Sequence, residues 1–198
     1  MMKFLFVNAC IRGEESRTYQ LCRDYIEKFQ KAKAGEDWIL EEVNLNELEL
    51  HPLNKDRLEQ RDRLAKAGGF GDSEFDLARQ IIEADHILIG APYWDLSFPA
   101  KLKMYLERCS VTGLTFIYSP EGIPAGQCRA SSLSYITTSG SPIGNFNFGY
   151  DYVKGLCALF GIKKTYFASA EELDIIGKDV QKIMMDAKDK ITDIIEAL

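Results

Sequence analysis

The chain has 198 residues, of which 46% are hydrophobic, and this composition fits one compact domain over residues 1–198 with a sizeable core. A formal net charge of −6, with the charges spread along the chain, excludes the basic face of a nucleic-acid-binding protein. No apolar run approaches the roughly 20 residues that a membrane-spanning helix needs, so we expect no membrane partner.

The first stretch of the chain, residues 3–18, predicts a strand, a loop and the start of a helix. The apolar run Phe4–Val7 ends in small and polar residues, and an amphipathic helix follows from Ser16 to about Lys33. A helix N-terminus leaves backbone N–H groups without partners and carries partial positive charge, so Ser16, Arg17 and Thr18 suit a phosphate. An ordinary N-cap explains Ser16 equally well, because a capping serine needs no ligand.

Strands and helices alternate along the rest of the chain. The predicted strands are Trp38–Val43, a buried run within 85–92, Ser131–Thr137 and Ile162–Ala168, and the predicted helices are Ser73–Ala84, Pro99–Cys109, Tyr150–Phe160 and Leu173–Leu198. Ser73 and Asp76 predict an N-terminal cap for their helix, and Ile176 belongs to the apolar stripe of the last helix. Residues 44–72 are polar, with a helix over 54–66, and residues 114–125 indicate a hairpin or an ordered loop.

This alternation predicts an α/β fold with parallel neighbouring strands and helices on both faces. Five strands fit a flavodoxin-like three-layer sandwich, with a five-stranded parallel sheet of order 2-1-3-4-5. A six-stranded Rossmann sheet is the alternative, but the first turn lacks the G-x-G-x-x-G fingerprint. In the order 2-1-3-4-5, ligands bind between strands one and three, so the loops at 10–18, 92–98 and 138–146 should converge.

The second and third of these loops have unusual compositions. Tyr93, Trp94 and Phe98 stand between two prolines and offer a flat apolar wall, although they could equally cap the sheet. The small residues of 137–142 let the backbone approach a ligand closely, although a plain turn would look the same. A phosphate site, an aromatic wall and a small-residue loop together describe a mononucleotide with a flat ring, and FMN fits best.

The rest of the sequence shows no pattern of side chains that indicates a disulfide, a metal site or a catalytic group. Five cysteines at wide spacing, without a C-x-x-C pair, are typical of a reducing compartment, so we expect a cytoplasmic protein. With only two histidines, we expect no metal site. A bound flavin ring performs its own redox chemistry, so no side chain is assigned a catalytic role.

The segments Ala91–Lys103, Gly113–Tyr118, Pro120–Gly122 and Thr137–Gly140, in this order, resemble the FMN-dependent NADH-azoreductase and NAD(P)H:quinone oxidoreductase family of the flavodoxin-like superfamily. The resemblance covers nearly the whole chain. It implies a homodimer with sites at the interface, and ping-pong hydride transfer from NADH or NADPH through FMN to quinones, azo or nitroaromatic compounds. The FMN loops that it implies contain Cys10, Ser16, Arg17, Thr18, Pro92, Tyr93, Trp94, Asp95, Leu96, Thr138, Ser139, Gly140 and Ser141.

Four aromatic residues, Phe116, Tyr118, Phe146 and Phe148, are candidates for a substrate pocket, although Phe116 and Tyr118 fit a buried hairpin pair equally well. Two other functions compete with the enzyme: a flavodoxin-type electron carrier, and an FMN-binding sensor without turnover of a small molecule. The excursions at 44–72 and 113–126 favour the enzyme, because they could enclose a small-molecule site. The residue types leave open whether Arg12 or Arg17 faces the phosphate.

Overall fold

The computed structural model describes residues 1–198, in which strands alternate with helices. The strands are β1 (Met2–Asn8), β2 (Trp38–Asn44), β3 (His86–Gly90), β4 (Phe116–Tyr118), β5 (Pro124–Gly126), β6 (Ser132–Thr138) and β7 (Lys164–Ala170). The α-helices are α1 (Arg17–Ala32), α2 (Lys55–Lys66), α3 (Asp76–Glu83), α4 (Ala100–Cys109), α5 (Phe148–Phe160) and α6 (Val180–Glu196). Single 3₁₀ turns at Gly13–Glu15 and Ser73–Phe75 precede α1 and α3. No helix combines the length and the low charge that a membrane crossing requires.

Five strands form one parallel sheet in the order β2-β1-β3-β6-β7. Counted within this sheet alone, the order is 2-1-3-4-5, so the predicted topology is confirmed. β4 and β5 form a separate antiparallel hairpin. For this region the sequence predicted either a hairpin or an ordered loop, and the hairpin is the one that forms. The central strands β1 and β3 are almost wholly buried, because helices cover both faces of the sheet.

Alternate residues of β1 enter two different cores, as the twofold period of a strand requires. Leu5 and Val7 pack with α3, α4 and α5 on one face of the sheet. Phe4 and Phe6 pack with α1 and α6 on the other face. The predicted three-layer sandwich is therefore confirmed.

The last helix begins at Val180, so the prediction of a helix from Leu173 was wrong. Asp179 caps α6 by accepting a hydrogen bond from the Lys182 N–H at 3.0 Å. Residues 171–179 form a loop instead, and Ile176 in this loop is fully exposed rather than part of the apolar stripe. The loop departs from the helix at its start, because the N–H groups of Leu173 and Asp174 donate to carbonyls of the loop after β6.

The side-chain cap in this region is Asp72, which caps the 3₁₀ turn before α3, so the prediction of a Ser73–Asp76 cap was also wrong. The Asp72 carboxylate accepts a hydrogen bond from the Glu74 N–H at 2.9 Å, and a 3₁₀ turn then leads into α3. We expect Asp72→Ala to lower the free energy of unfolding by about 1 kcal/mol, because it removes a capping bond. Urea unfolding measures this loss. Ser73→Ala is the matched control and should leave the midpoint unchanged, and an equal loss for both variants would contradict the assignment.

Candidate functional site

The carboxyl ends of β1, β3, β6 and β7 border one cavity of about 440 Å³. The three predicted loops converge there, and the loop between β7 and α6 adds a fourth side. The lining residues are Ile11, Arg12, Glu15, Ser16, Arg17, Pro92, Tyr93, Trp94, Thr138, Ser139, Gly140, Leu173 and Asp174. This position is the switch point at which open α/β sheets bind ligands.

The N-terminus of α1 presents free hydrogen-bond donors to this cavity. Ser16 is the N-cap, and its hydroxyl oxygen accepts the Tyr19 N–H at 3.3 Å, which leaves the hydroxyl proton free to donate. The backbone N–H groups of Arg17 and Thr18 have no acceptor within the chain. The first turn of α1 carries no acidic residue. Two unpaired amides, a hydroxyl and the helix dipole therefore form an anion site that fits a phosphate.

The charged side chains of the lining are balanced in sign. Arg17 donates from Nη1 to Asp174 Oδ1 at 3.0 Å and to the carbonyl oxygen of Leu173 at 3.4 Å. Arg12 lines the same cavity and has neither an ion-pair partner nor a side-chain hydrogen bond. Asp174 pairs with Arg17 alone. An anion there would therefore meet the backbone N–H groups, the helix dipole and the unpaired guanidinium of Arg12.

Five residues of the predicted cofactor loops do not line the cavity: Cys10, Thr18, Asp95, Leu96 and Ser141. Thr18 is fully buried, and its Oγ1 lies 2.7 Å from Thr138 Oγ1, so the hydroxyl ties α1 to β6. Cys10 is also fully buried, and its thiol lies 3.6 Å from the carbonyl oxygen of Gly90. The carbonyl of Ser141 accepts a hydrogen bond from the Ser139 hydroxyl, which fixes the loop after β6.

The loop after β3 contains a tight turn at Trp94–Ser97. Trp94 and Ser97 exchange two backbone hydrogen bonds of 3.1 and 2.7 Å, and the central residues Asp95 and Leu96 have φ angles of +49° and +65°. These are the left-handed conformations of a type I′ turn, and the N–H groups of both central residues have no acceptor in the chain. Tyr93 is held in place because its hydroxyl donates to the Phe146 carbonyl at 3.0 Å. The turn therefore offers two free amides beside a partly exposed indole.

The left-handed conformation is costly at Leu96, whereas aspartate tolerates it at Asp95. We expect Leu96→Gly to raise the free energy of unfolding of the flavin-free protein by about 0.5–1 kcal/mol, because glycine adopts positive φ without strain. Asp95→Gly is the matched comparison and should give no gain. Thermal unfolding of both variants tests the turn geometry, and a loss of stability in Leu96→Gly would contradict it.

The loop between β7 and α6 was not predicted as part of the site. The Leu173 N–H donates to the Ser139 carbonyl at 3.1 Å, and the Asp174 N–H donates to the Gly140 carbonyl at 3.2 Å. Gly140 packs so tightly here that a Cβ would overlap the Asp174 carboxylate. Two loops are thus joined into one wall. Gly177, which adopts φ +85°, was a sequence sign against a helix through 173–179, because glycine is unfavourable inside a helix.

None of the four aromatic residues predicted for a substrate pocket lines the cavity. Phe116 is 7% exposed and packs in the core beneath the hairpin, which corresponds to the buried alternative. Tyr118, Phe146 and Phe148 are each more than half exposed. These three side chains lie outside the lining of the cavity, and the rings of Phe146 and Phe148 contact each other.

The titratable groups of the interior are not arranged for nucleophilic chemistry. Burial raises the pKa of the Cys22 thiol, and raises the pKa of Cys128 and that of Cys157 to about 12, so these thiols are protonated at neutral pH. No group of three or more His, Cys, Asp or Glu side chains is placed to hold a metal ion. The cavity can bind an anion and a flat group, and a bound redox group would have to supply the chemistry.

Comparison with known proteins places this arrangement in a family. A family model described as the flavodoxin-like fold matches residues 2–195. An FMN-dependent NADH:quinone oxidoreductase of Coprothermobacter proteolyticus is 33% identical over 94% of both chains, and one of Clostridium perfringens is 34% identical over 96% of both. The chain belongs to this FMN-dependent NADH:quinone oxidoreductase family. The family resemblance seen in the sequence is thereby confirmed.

Solved structures support the same fold. An azoreductase from Bacillus anthracis superposes with a TM-score of 0.86 over the full length of both chains at 22% identity. A Bacillus anthracis FMN-dependent NADH-azoreductase, solved in complex with FMN, gives a TM-score of 0.85 at 18% identity and covers 100% of this chain and 99% of that one. At 22% and 18% identity, these two superpositions bear on the fold of this chain alone.

Proposed function

We propose that the chain is an FMN-dependent oxidoreductase that transfers hydride from NADH or NADPH through FMN to a quinone. The observation that carries the proposal is the cavity at the switch point, where the capped N-terminus of α1 offers two unpaired amides, from Arg17 and Thr18. Its chemistry fits the phosphate of FMN, and Trp94 supplies flat apolar surface in the same lining. Relatives that are 33–34% identical carry the name FMN-dependent NADH:quinone oxidoreductase.

The residues of this chain would hold the cofactor from three sides. The Ser16 hydroxyl and the N–H groups of Arg17 and Thr18 would bind the phosphate. The segment Pro92–Leu96 would hold the ring, with the free amides of its turn available to polar atoms at the ring edge. The small-residue segment Thr138–Ser141 would close the remaining side. When bound, FMN supplies the two-electron redox chemistry of its ring.

The sequence of steps that we propose is ping-pong: the nicotinamide and the quinone would take turns at one exposed face of the ring in the cavity. The same exposed face would accept azo and nitroaromatic compounds, because a planar acceptor needs access to the ring rather than a shaped pocket. Tyr118, Phe146 and Phe148 are available to cover such a substrate.

We further propose a homodimer whose interface includes the site. Exposed aromatic and aliphatic side chains surround the cavity on the loop after β3 and at the start of α5, which is typical of a surface that another subunit covers. These side chains are Trp94, Leu96, Phe146, Phe148 and Tyr152. A single FMN-binding domain over 1–198 and a cytoplasmic location complete the proposal, and five free cysteines are consistent with a reducing compartment.

Reconstitution with FMN tests the proposal. The purified protein should be yellow, release FMN on denaturation, and oxidise NADH or NADPH with menadione in steady state with two electrons per turnover. A protein that stays colourless after incubation with FMN would refute the cofactor assignment. A protein that binds FMN but passes only single electrons would be a carrier, and one that binds FMN without turnover would be a sensor. Sedimentation of the yellow protein tests the dimer.

A further inference from the structure

The two arginines of the cavity differ in what their side chains contact. Arg17 lies 3.0 Å from the Asp174 carboxylate, and this ion pair crosses from the start of α1 to the loop after β7. Arg12 lies on the loop after β1, is exposed, and has no partner. The sequence alone left open which of them meets the phosphate, and the pairing of Arg17 separates the two.

The position of Asp174 is fixed by backbone contacts rather than by the ion pair. Its N–H donates to the Gly140 carbonyl at 3.2 Å, and its carboxylate packs where a Cβ of Gly140 would stand. These contacts hold the Asp174 backbone beside the cavity when Arg17 is replaced, while the carboxylate itself is 73% exposed. A phosphate in the cavity meets this negative charge on one side and an arginine already engaged by it.

We propose that Arg12 is the side-chain cation that binds the phosphate group, and that Asp174 limits the affinity for that phosphate by engaging Arg17. This inference rests on the proposed FMN function. Opposite charges 3.0 Å apart produce nearly cancelling fields at a nearby anion, whereas the unpaired guanidinium of Arg12 acts with its full charge and all its donors. Asp174 thus determines how strongly the site prefers a phosphorylated flavin to an unphosphorylated one.

Binding of FMN and riboflavin to the flavin-free protein tests the assignment, because the two ligands differ only in the phosphate. Quenching of flavin fluorescence gives the dissociation constants for Arg12→Gln, Arg12→Lys, Asp174→Asn, Arg17→Gln and the double variant Arg17→Gln/Asp174→Asn. Arg63→Gln, an exposed arginine on α2 away from the cavity, is the matched control. Circular dichroism confirms that each variant is folded.

We expect Arg12→Gln to weaken FMN binding about tenfold with riboflavin unchanged, and Arg12→Lys to retain most of the affinity. Asp174→Asn should tighten FMN binding about threefold to fivefold at low salt, and less at high salt. The gain in FMN affinity should be smaller in the double variant, because Arg17 is then absent and cannot be freed from Asp174 to bind the phosphate. Riboflavin should respond to neither change.

Two results for FMN binding alone would overturn the inference while leaving the proposed function intact. One is unchanged FMN affinity in Arg12→Gln, and the other is weaker FMN binding in Asp174→Asn. A wild-type protein that binds neither flavin would instead refute the proposed function, and this inference with it. Equal losses for FMN and riboflavin in Arg12→Gln would assign Arg12 a structural role and would also overturn the inference.

Discussion

Ser16→Asp is expected to weaken FMN binding about a hundredfold while the protein stays folded. Aspartate is as good an N-cap as serine, so the bond from the Tyr19 N–H is kept. The substitution removes a hydroxyl donor to a charged group, which is worth about 1.5–3 kcal/mol, and puts a carboxylate where the phosphate would lie. The capping role and the ligand-binding role of Ser16 are thereby separated.

Two controls sharpen this experiment. Ser16→Asn caps equally well without adding charge, so its loss of FMN affinity should be much smaller. Riboflavin, which has no phosphate, should bind wild type and Ser16→Asp alike. Ser16→Ala is a poorer probe, because it removes the cap and the donor together, and Thr18→Ala would loosen the buried contact with Thr138. Wild-type FMN affinity in Ser16→Asp would mean that Ser16 is an ordinary cap.

The strand order and the convergence of the loops could be predicted because they follow from local patterns. Runs such as Phe4–Val7 are apolar on both faces, which marks a central parallel strand, and the alternation with helices then restricts the topology. The topology alone placed the loops after β1, β3 and β6 together, without any knowledge of side-chain contacts. Ser16, Tyr93 and Gly140 were therefore identified as lining residues from sequence.

The residues that were misplaced depend on contacts distant in sequence. Residues 173–179 were predicted as helix, but the N–H groups of Leu173 and Asp174 bond to carbonyls at 139–140, and no local pattern records such a bond. Thr18 is different, because it lies three residues before Leu21 on the buried stripe of α1, and that spacing could have shown that its hydroxyl faces inwards. Asp174 and Arg17 are 157 residues apart in the sequence, so no local pattern indicates this ion pair.

Gly126→Ala should cause the largest loss of stability, about 3 kcal/mol in the free energy of unfolding. Gly126 ends β5 against the end of α5, and a Cβ there would overlap the backbone of Phe160 and Gly161. Backbone atoms cannot relieve the overlap by a change of rotamer, as a side chain can, so the hairpin or the end of α5 must move. Gly161 cannot easily adjust, because it terminates α5 in the left-handed conformation at φ +85°.

Gly155→Ala is the matched control for this substitution. Gly155 lies exposed within α5 with no atom near its missing Cβ, so alanine there should raise stability by about 0.5–1 kcal/mol. The midpoint of urea unfolding should therefore fall for Gly126→Ala and rise for Gly155→Ala. Equal stability of Gly126→Ala and wild type would contradict the packing of the hairpin on α5.

Flavin binding to Gly126→Ala distinguishes the hairpin's structural role from a cofactor role. No hairpin residue lines the cavity, and Phe116, opposite Gly126 in the ladder, is buried in the core. FMN should therefore bind the folded fraction of Gly126→Ala with wild-type affinity, measured by fluorescence quenching below the unfolding transition. If Tyr118 covers a substrate, the KM for menadione should rise while the FMN affinity does not, because displacement of the hairpin moves this exposed ring. A parallel loss of FMN affinity would instead place the hairpin against the cofactor.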